Sequence, residues 1–159
     1  MTQGDIKYLV KIEGDNVFLK VIGKASYLNC RNVGEFFANV VEKNCKHLFI
    51  DFAQCTGMDS TFMGMIAGIA LRLRKKQAFV TLQNLKDRNL QLIENLGINK
   101  LTRLEDCNNC TDPESILDVS SASGQSMLEA HENLVETDSS NLAKFEDVIS
   151  FLKKEVEQK

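Results

Sequence analysis

HLFIDFAQCTGMDSTFMGMIAGIALRLRKK, residues His47 to Lys76, decides the fold. A β-branched and aromatic run from His47 to Phe52 enters a polar turn, the turn delivers Asp59, Ser60 and Thr61, and an apolar helix follows at once. Strand, turn and helix in that order put two hydroxyls at a helix N-terminus, in the open, beside a carboxylate. Unpaired N–H groups and the positive end of the helix dipole make the first helical turn tolerant of negative charge. A phosphate fits such a place without unfolding the chain.

Within that stretch, Met58, Asp59, Ser60, Thr61 and Gly64 match a known pattern. The segment resembles the signature of the STAS domain family, the anti-sigma-factor antagonists, in which a strand and a six-to-eight residue turn lead to Met-Asp-Ser-Ser/Thr-Gly-Leu-Gly at a helix start. Phe62 stands where the family prefers glycine. By spacing alone, Ser60 or Thr61 reads as an ordinary helix N-cap, because short hydroxyl side chains satisfy orphan donors there. The resemblance reverses that reading. It implies that Ser60 accepts phosphate from a partner serine kinase, with Thr61, the second hydroxyl, as the alternative acceptor and Asp59 as the carboxylate beside it. Asp59, Ser60, Thr61, Phe62 and Met63 are then the residues expected to meet partners.

Outward from this segment, Lys7 to Glu13 and Asn16 to Gly23 read as two strands joined by the tight-turn pair Gly14-Asp15. Val33, Phe36, Phe37, Val40 and Val41 recur at helical spacing between Asn29 and Lys43. Strand Leu48 to Phe52 and helix Thr61 to Lys75 follow. In that helix Gly64, Ala67, Gly68 and Ala70 are small enough to let the backbone lie close to a sheet. A strand Ala78 to Leu82, a helix Lys86 to Leu96 stopped by Gly97, and a short strand Leu101 to Leu104 complete the pattern. The order β-β-α-β-α-β-α-β predicts an α/β fold, a STAS-like mixed sheet of four to five strands flanked by helices. Residues 1–110 are read as this domain and 111–159 as a linker with a C-terminal helical extension. Asp112-Pro113 is read as a helix start and Ser120 to Gly124 as linker composition. Ser126 with Glu129 has capping-box spacing and opens Met127 to Glu136, and Ser140 caps a helix Leu142 to Val156. Leu142, Phe145, Val148, Ile149 and Leu152 form its docking face, turned to its own domain, a second copy in a homo-oligomer, or a partner.

Composition narrows the function. A chain of 159 residues, 43% hydrophobic and 26% charged, builds a sizeable core. Its formal net charge of -3 lacks the basic face that nucleic acid requires, and Arg72, Arg74, Lys75 and Lys76 suit a solvated helix C-terminus. The first ten residues show no signal-peptide pattern, and no apolar run reaches the ~20 residues of a membrane span. A cytoplasmic protein is expected. Five cysteines without export signals predict reduced thiols, and Cys107-x-x-Cys110 reads as loop cysteines. No metal and no cofactor are expected, since the remaining cysteines, His47 and His131 share no ligand spacing. Asp51 and Asp59 lack the accompaniment of a hydrolytic carboxylate pair, and Asp51 is read as tying the turn before Ser60. A serine nucleophile at Ser60 needs a base, and neither His47 nor His131 has one-dimensional support as that base.

The resemblance thus implies a regulator without catalytic residues, an anti-sigma-factor antagonist acting by partner switching. It binds an anti-sigma factor that is also a serine protein kinase, is released when Ser60 is phosphorylated, and is restored by a serine phosphatase. Gly23-Lys24-Ala25-Ser26 stands where the family often has Gly-Glu-Leu-Asp and does not preserve those acids, so contacts carried by them are not transferred. The alternative is a STAS-like interaction module of a lipid transporter or sensory complex, with Ser60 structural.

Overall fold

The computed structural model describes residues 6–158. Residues 1–5, the start of the stretch read for a leader, and Lys159 lie outside the described residues. Strand β1 (Lys7–Glu13) turns at Gly14, whose φ of 62° suits glycine, into β2 (Asn16–Ala25), pairing Tyr8 with Val21 and Val10 with Leu19. Helix α1 (Arg31–Glu42) leads to β3 (His47–Met58), α2 (Ser60–Lys75) and β4 (Phe79–Gln83). Then come α3 (Asp87–Asn95), a 3₁₀ turn at Ile98–Lys100, β5 (Arg103–Glu105), β6 (Ser115–Leu117), α4 (Gly124–Thr137) and α5 (Asn141–Glu157). The sheet order is β5-β4-β3-β2-β1-β6, parallel from β5 through β2 and antiparallel at β1 and β6. Helical crossovers between the parallel strands match the mixed α/β sheet expected from the sequence, with six strands in place of four or five.

Alternation defines the buried face: Val17, Leu19 and Val21 of β2, Leu48, Ile50 and Phe52 of β3, and Val80 and Leu82 of β4 are all buried. The other face carries a half-buried stack in which Phe49 lies 5.1 Å from Phe18 and 4.0 Å from His47. Against the buried face lies α2, in which every residue from Thr61 to Ala70 is buried. Each fully buried Phe, Ile or Leu contributes about 1.5–3 kcal/mol relative to exposure, so α2 is the largest helical share of the core.

Five local expectations are corrected. The polar turn placed after Phe52 is strand: β3 pairs in parallel with β2 as far as Ala25 and Met58, with register shifts after Lys20 and Gly23. Backbone pairing holds Gln54 to Gly57 extended despite their polarity. Asp112-Pro113 does not start a helix; Ser115–Leu117 adds to the open edge of β1, pairing Leu9 with Ile116. The Ser-rich stretch is bound in place: the Ala122 N–H donates to the Tyr27 carbonyl (2.7 Å), the Arg31 N–H to the Ser120 carbonyl (3.0 Å), and Ala122 is buried. Ser123 is the N-cap of α4, accepting from the Ser126 N–H at 3.0 Å, so the helix begins three residues before Met127. On α5 the inward stripe is Phe145, Ile149, Leu152 and Val156, packed on Leu128 and Val135 of α4, whereas Leu142 and Val148 are exposed.

The small residues of α2 serve a different neighbour from the one predicted. A Cβ on Gly64 would run into the Ala130 carbonyl of α4 and stand 2.7 Å from the Ala130 Cβ, and one on Gly68 would meet the Asn133 side chain. The glycines seat α4, with the sheet on the other side of the helix. Buried Asn141, donating to the Leu96 carbonyl (3.0 Å) and the Leu134 carbonyl (2.7 Å), pins the α4–α5 corner to the end of α3.

Gly64→Ala therefore sets two effects in opposition. Helix propensity favours alanine by about 1 kcal/mol, while overlap with Ala130 backbone costs about 1–3 kcal/mol. The overlap should win, because a backbone carbonyl cannot rotate away, and a lower urea midpoint at unchanged m-value is the expected reading.

Candidate functional site

Asp59 follows β3 in an extended conformation (φ -103°, ψ 177°) and caps α2. Its two carboxylate oxygens are both engaged: Oδ1 accepts the Phe62 N–H at 3.0 Å and Oδ2 accepts the Tyr27 N–H at 2.8 Å. One oxygen satisfies the helix start and the other ties down the β2–α1 loop. The Asp59 N–H donates to the Ala25 carbonyl at 3.1 Å, closing the same corner. Asn29 braces the loop from within, its Oδ1 accepting from the Ser26 N–H (3.0 Å) and the Tyr8 hydroxyl (2.6 Å).

Ser60 is the first helical residue and is half-buried. Its Oγ lies 2.8 Å from Nε2 of His131, on α4. The other ring nitrogen, Nδ1, lies 2.7 Å from the Met127 carbonyl oxygen, which only accepts. Nδ1 therefore carries a proton, and in the neutral ring Nε2 is the acceptor to which the Ser60 hydroxyl donates. His131 is buried and packs edge-on against Phe145 of α5, ring centroids 5.2 Å apart. The hydroxyl that the sequence predicts in the open thus has a roof over one side, built by the C-terminal helices. The histidine that sequence separation left unsupported is its direct partner, 71 residues away.

Only part of the predicted contact set is accessible. Asp59 and Ser60 reach the surface, while Thr61 is 4% exposed, Met63 3% and Phe62 0%. Phe62 points inward and stacks on Tyr8 of β1, centroids 6.0 Å apart, so it does not present the surface to partners that was expected of it. Thr61 as acceptor is disfavoured for the same reason of burial. Asp51 does not tie the turn before Ser60; its Oδ1 accepts from the Ala53 N–H (3.0 Å) and from Asn84 Nδ2 (2.9 Å), joining β3 to the turn after β4. Cys107 and Cys110, predicted as loop cysteines, face each other in one turn, with Cα atoms 5.5 Å apart. Among the described residues no three His, Cys, Asp or Glu side chains gather as a metal site.

On its open side Ser60 borders a cleft of about 930 Å³ between the start of α2, α3 and the start of α5. Met63, Leu92 and Leu96 give it apolar lining, and Lys24, Arg88 and Lys144 stand around it with Asp59 as its single carboxylate. Among the described residues none of these three cations is paired with a carboxylate. The cleft is positive and large enough for a small anion or an acidic side chain.

The site's buried thiol gives it a pH signature. Cys30, at the start of α1, is pushed up to about 12 from an ordinary value near 9, first by burial and then by the Asp59 charge. Burial shifts Cys45, Cys55 and Tyr8 the same way. Above pH 9 the unfolded chain ionises these groups while the native chain keeps them neutral, so stability falls as pH rises from about 9 toward 12. Cys30 accounts for about 1 kcal/mol of that loss at pH 10, and Cys30→Ser should flatten the decline in urea midpoints measured between pH 8 and 10.5.

No curated protein matches this chain in sequence. Among solved structures, an anti-sigma factor antagonist from Mycobacterium paratuberculosis is similar at 17% identity and TM-score 0.55, covering 66% of this chain and 90% of its own. Unphosphorylated SpoIIAA, also an anti-sigma factor antagonist, superposes at 12% identity and TM-score 0.54 over 64% of this chain and 89% of its own. The phosphorylated form of the Bacillus cell fate determinant SpoIIAA gives 13% identity and TM-score 0.53 over 64% and 92%. At such identities the likeness is one of fold. Among the described residues no helix is long and apolar enough to cross a membrane. The profile of the STAS domain matches residues 7–107, from the first residue of β1 to just past β5, and leaves β6, α4 and α5 beyond it. The chain belongs to the STAS domain family.

Proposed function

We propose that this protein is a cytoplasmic anti-sigma-factor antagonist that works by partner switching, with Ser60 as the phosphoacceptor and residues 111–159 as an extension of the STAS domain. Unphosphorylated, it binds an anti-sigma factor that is also a serine protein kinase; phosphorylation of Ser60 ends the complex and a serine phosphatase restores it. The chain supplies no catalytic group to this cycle. The observation that carries the reading is the placement of Ser60 Oγ at the first turn of α2, on the rim of a cleft edged by Lys24, Arg88 and Lys144. A phosphate brings roughly -1.5 to -2 charge at neutral pH. Helix-end N–H groups and three cations make that charge bearable in the free protein. Pressed against a partner that already faces Asp59, the same charge is desolvated and repelled. Phosphorylation should therefore alter affinity far more than stability.

The roof over Ser60 favours a second reading, in which the Ser60–His131 hydrogen bond is purely structural and the chain is an interaction module of a lipid transporter or sensory complex. Incubation with ATP and any serine kinase encoded beside it separates the two. Labelling should fall on Ser60, vanish in Ser60→Ala with binding retained, and Ser60→Asp should weaken kinase binding at least tenfold. Absence of labelling together with normal binding by Ser60→Asp selects the module, and labelling lost only in Thr61→Ala moves the acceptor by one residue.

A further inference from the structure

His131 stands on α4, outside the STAS domain proper, and the packing of α4 holds it still over Ser60. The Ala130 backbone sits in the notch left by Gly64, Asn133 donates to the Gly64 carbonyl at 3.3 Å, and Phe145 of α5 packs edge-on against the ring. Ala130 and Leu134, on either side of the histidine, belong to the main core, so α4 is a fixed part of the molecule. The ring bridges two neighbours: Nδ1 lies 2.7 Å from the Met127 carbonyl oxygen and Nε2 2.8 Å from Ser60 Oγ. A neutral imidazole has one N–H. Here the carbonyl takes it, and the Ser60 hydroxyl supplies the proton at the other end.

We propose that His131 is the internal counter-ion of phosphorylated Ser60: the ring takes a second proton, Nε2 turns from acceptor to donor toward a phosphate oxygen, and the C-terminal extension becomes the chain's own phosphoserine receptor. The inference rests on Ser60 being the phosphoacceptor, as proposed above. When a phosphoryl group passes from ATP, the Oγ–P bond forms, the β,γ-bridging P–O bond breaks, ADP leaves and the hydroxyl proton goes to water; Nε2 then takes up a proton from water. Before that uptake, Nε2 and the ionised phosphate are two acceptors face to face. A change of tautomer only moves the conflict, because the Met127 carbonyl on the other side also accepts and never donates. The imidazolium alone, with an N–H at each end, satisfies both neighbours. A buried imidazolium is costly when unpaired. A phosphate of roughly -1.5 to -2 charge offsets that cost through a charge-assisted hydrogen bond about twice as strong as a neutral one.

The other charged groups of the site come from three elements and leave this place to His131. Lys24 of β2 and Arg88 of α3 are exposed, Lys144 of α5 already donates to the Asn95 carbonyl at 2.9 Å, and Asp59 has both carboxylate oxygens on backbone N–H groups. The cations meet the phosphate from the solvent side of the cleft. His131, 4% exposed, meets it from within the protein. Removal of the phosphate then has to break the His131 bond first.

Full-length protein translated with phosphoserine at position 60 tests this with no kinase present, so a failure of Ser60 to be a kinase target and a failure of the counter-ion are read separately. In ¹⁵N NMR spectra at neutral pH, both ring nitrogens of His131 should carry protons in the phosphorylated chain, and Nδ1 alone in the unmodified one. A broad-specificity phosphatase should release phosphate from His131→Leu about tenfold faster than from the parent sequence, with His131→Gln, which keeps an N–H donor, falling between them. The spectroscopic reading needs no substitution, so it decides the matter even where a variant fails to fold. A single protonated ring nitrogen in the phosphorylated chain, or equal release from the parent and both variants, overturns the proposal.

Discussion

Helix α2 is buried along both of its long faces, and the rest of the structure is arranged around that constraint. On one side Phe62, Ile66, Ile69 and Leu73 are fully enclosed in the core; on the other, Gly64 and Gly68 leave no side chain to fill the gap. A surface with two notches is stable only when another backbone enters them, because a void forfeits its van der Waals contacts outright. This is why α4 packs here, why β6 and the bound serine stretch route the chain back across the domain, and why the helix start, where chemistry is concentrated, lies under a second layer.

At that helix start the labour is divided between neighbours. Asp59 spends both carboxylate oxygens on backbone N–H groups, so it holds geometry and has little left to offer a reaction. Ser60, one residue later, is free of capping duty because Asp59 performs it. Its hydroxyl is available to His131, and the opposite side of the residue opens on the cleft. A serine relieved of its usual structural role thus stands beside an aspartate that has taken it over.

Elements whose signal is local were legible in the sequence: the Gly14 turn, the alternation of β2, the periodicity of α1, and the strand-to-helix passage through Asp59. The site motif was legible for the same reason, since it lies within one contiguous segment. What was hidden depends on a partner distant in the chain. Gln54 to Gly57 looked like a turn because their polarity was visible and the β2 backbone holding them extended was not. Ser120 to Ser123 looked like a linker because its hydrogen bonds go to Tyr27, Leu28 and Arg31, about ninety residues earlier. Phe62 looked like surface because the family prefers glycine there, yet Tyr8 offers a ring to stack on. Gly64 and Gly68 were rightly singled out as contact residues and assigned to the wrong neighbour, since a glycine marks closeness without saying to what. His131 carried no local signal at all; only the crossing of α4 over α2 brings it to Ser60.

The two ends of the sheet are three-residue strands, β5 and β6, and β6 covers the longer β1 that would otherwise have been an edge. Such short rims offer a foreign strand too few free amides and carbonyls to template against. Growth of the sheet into ribbons or fibrils is thereby starved at both margins.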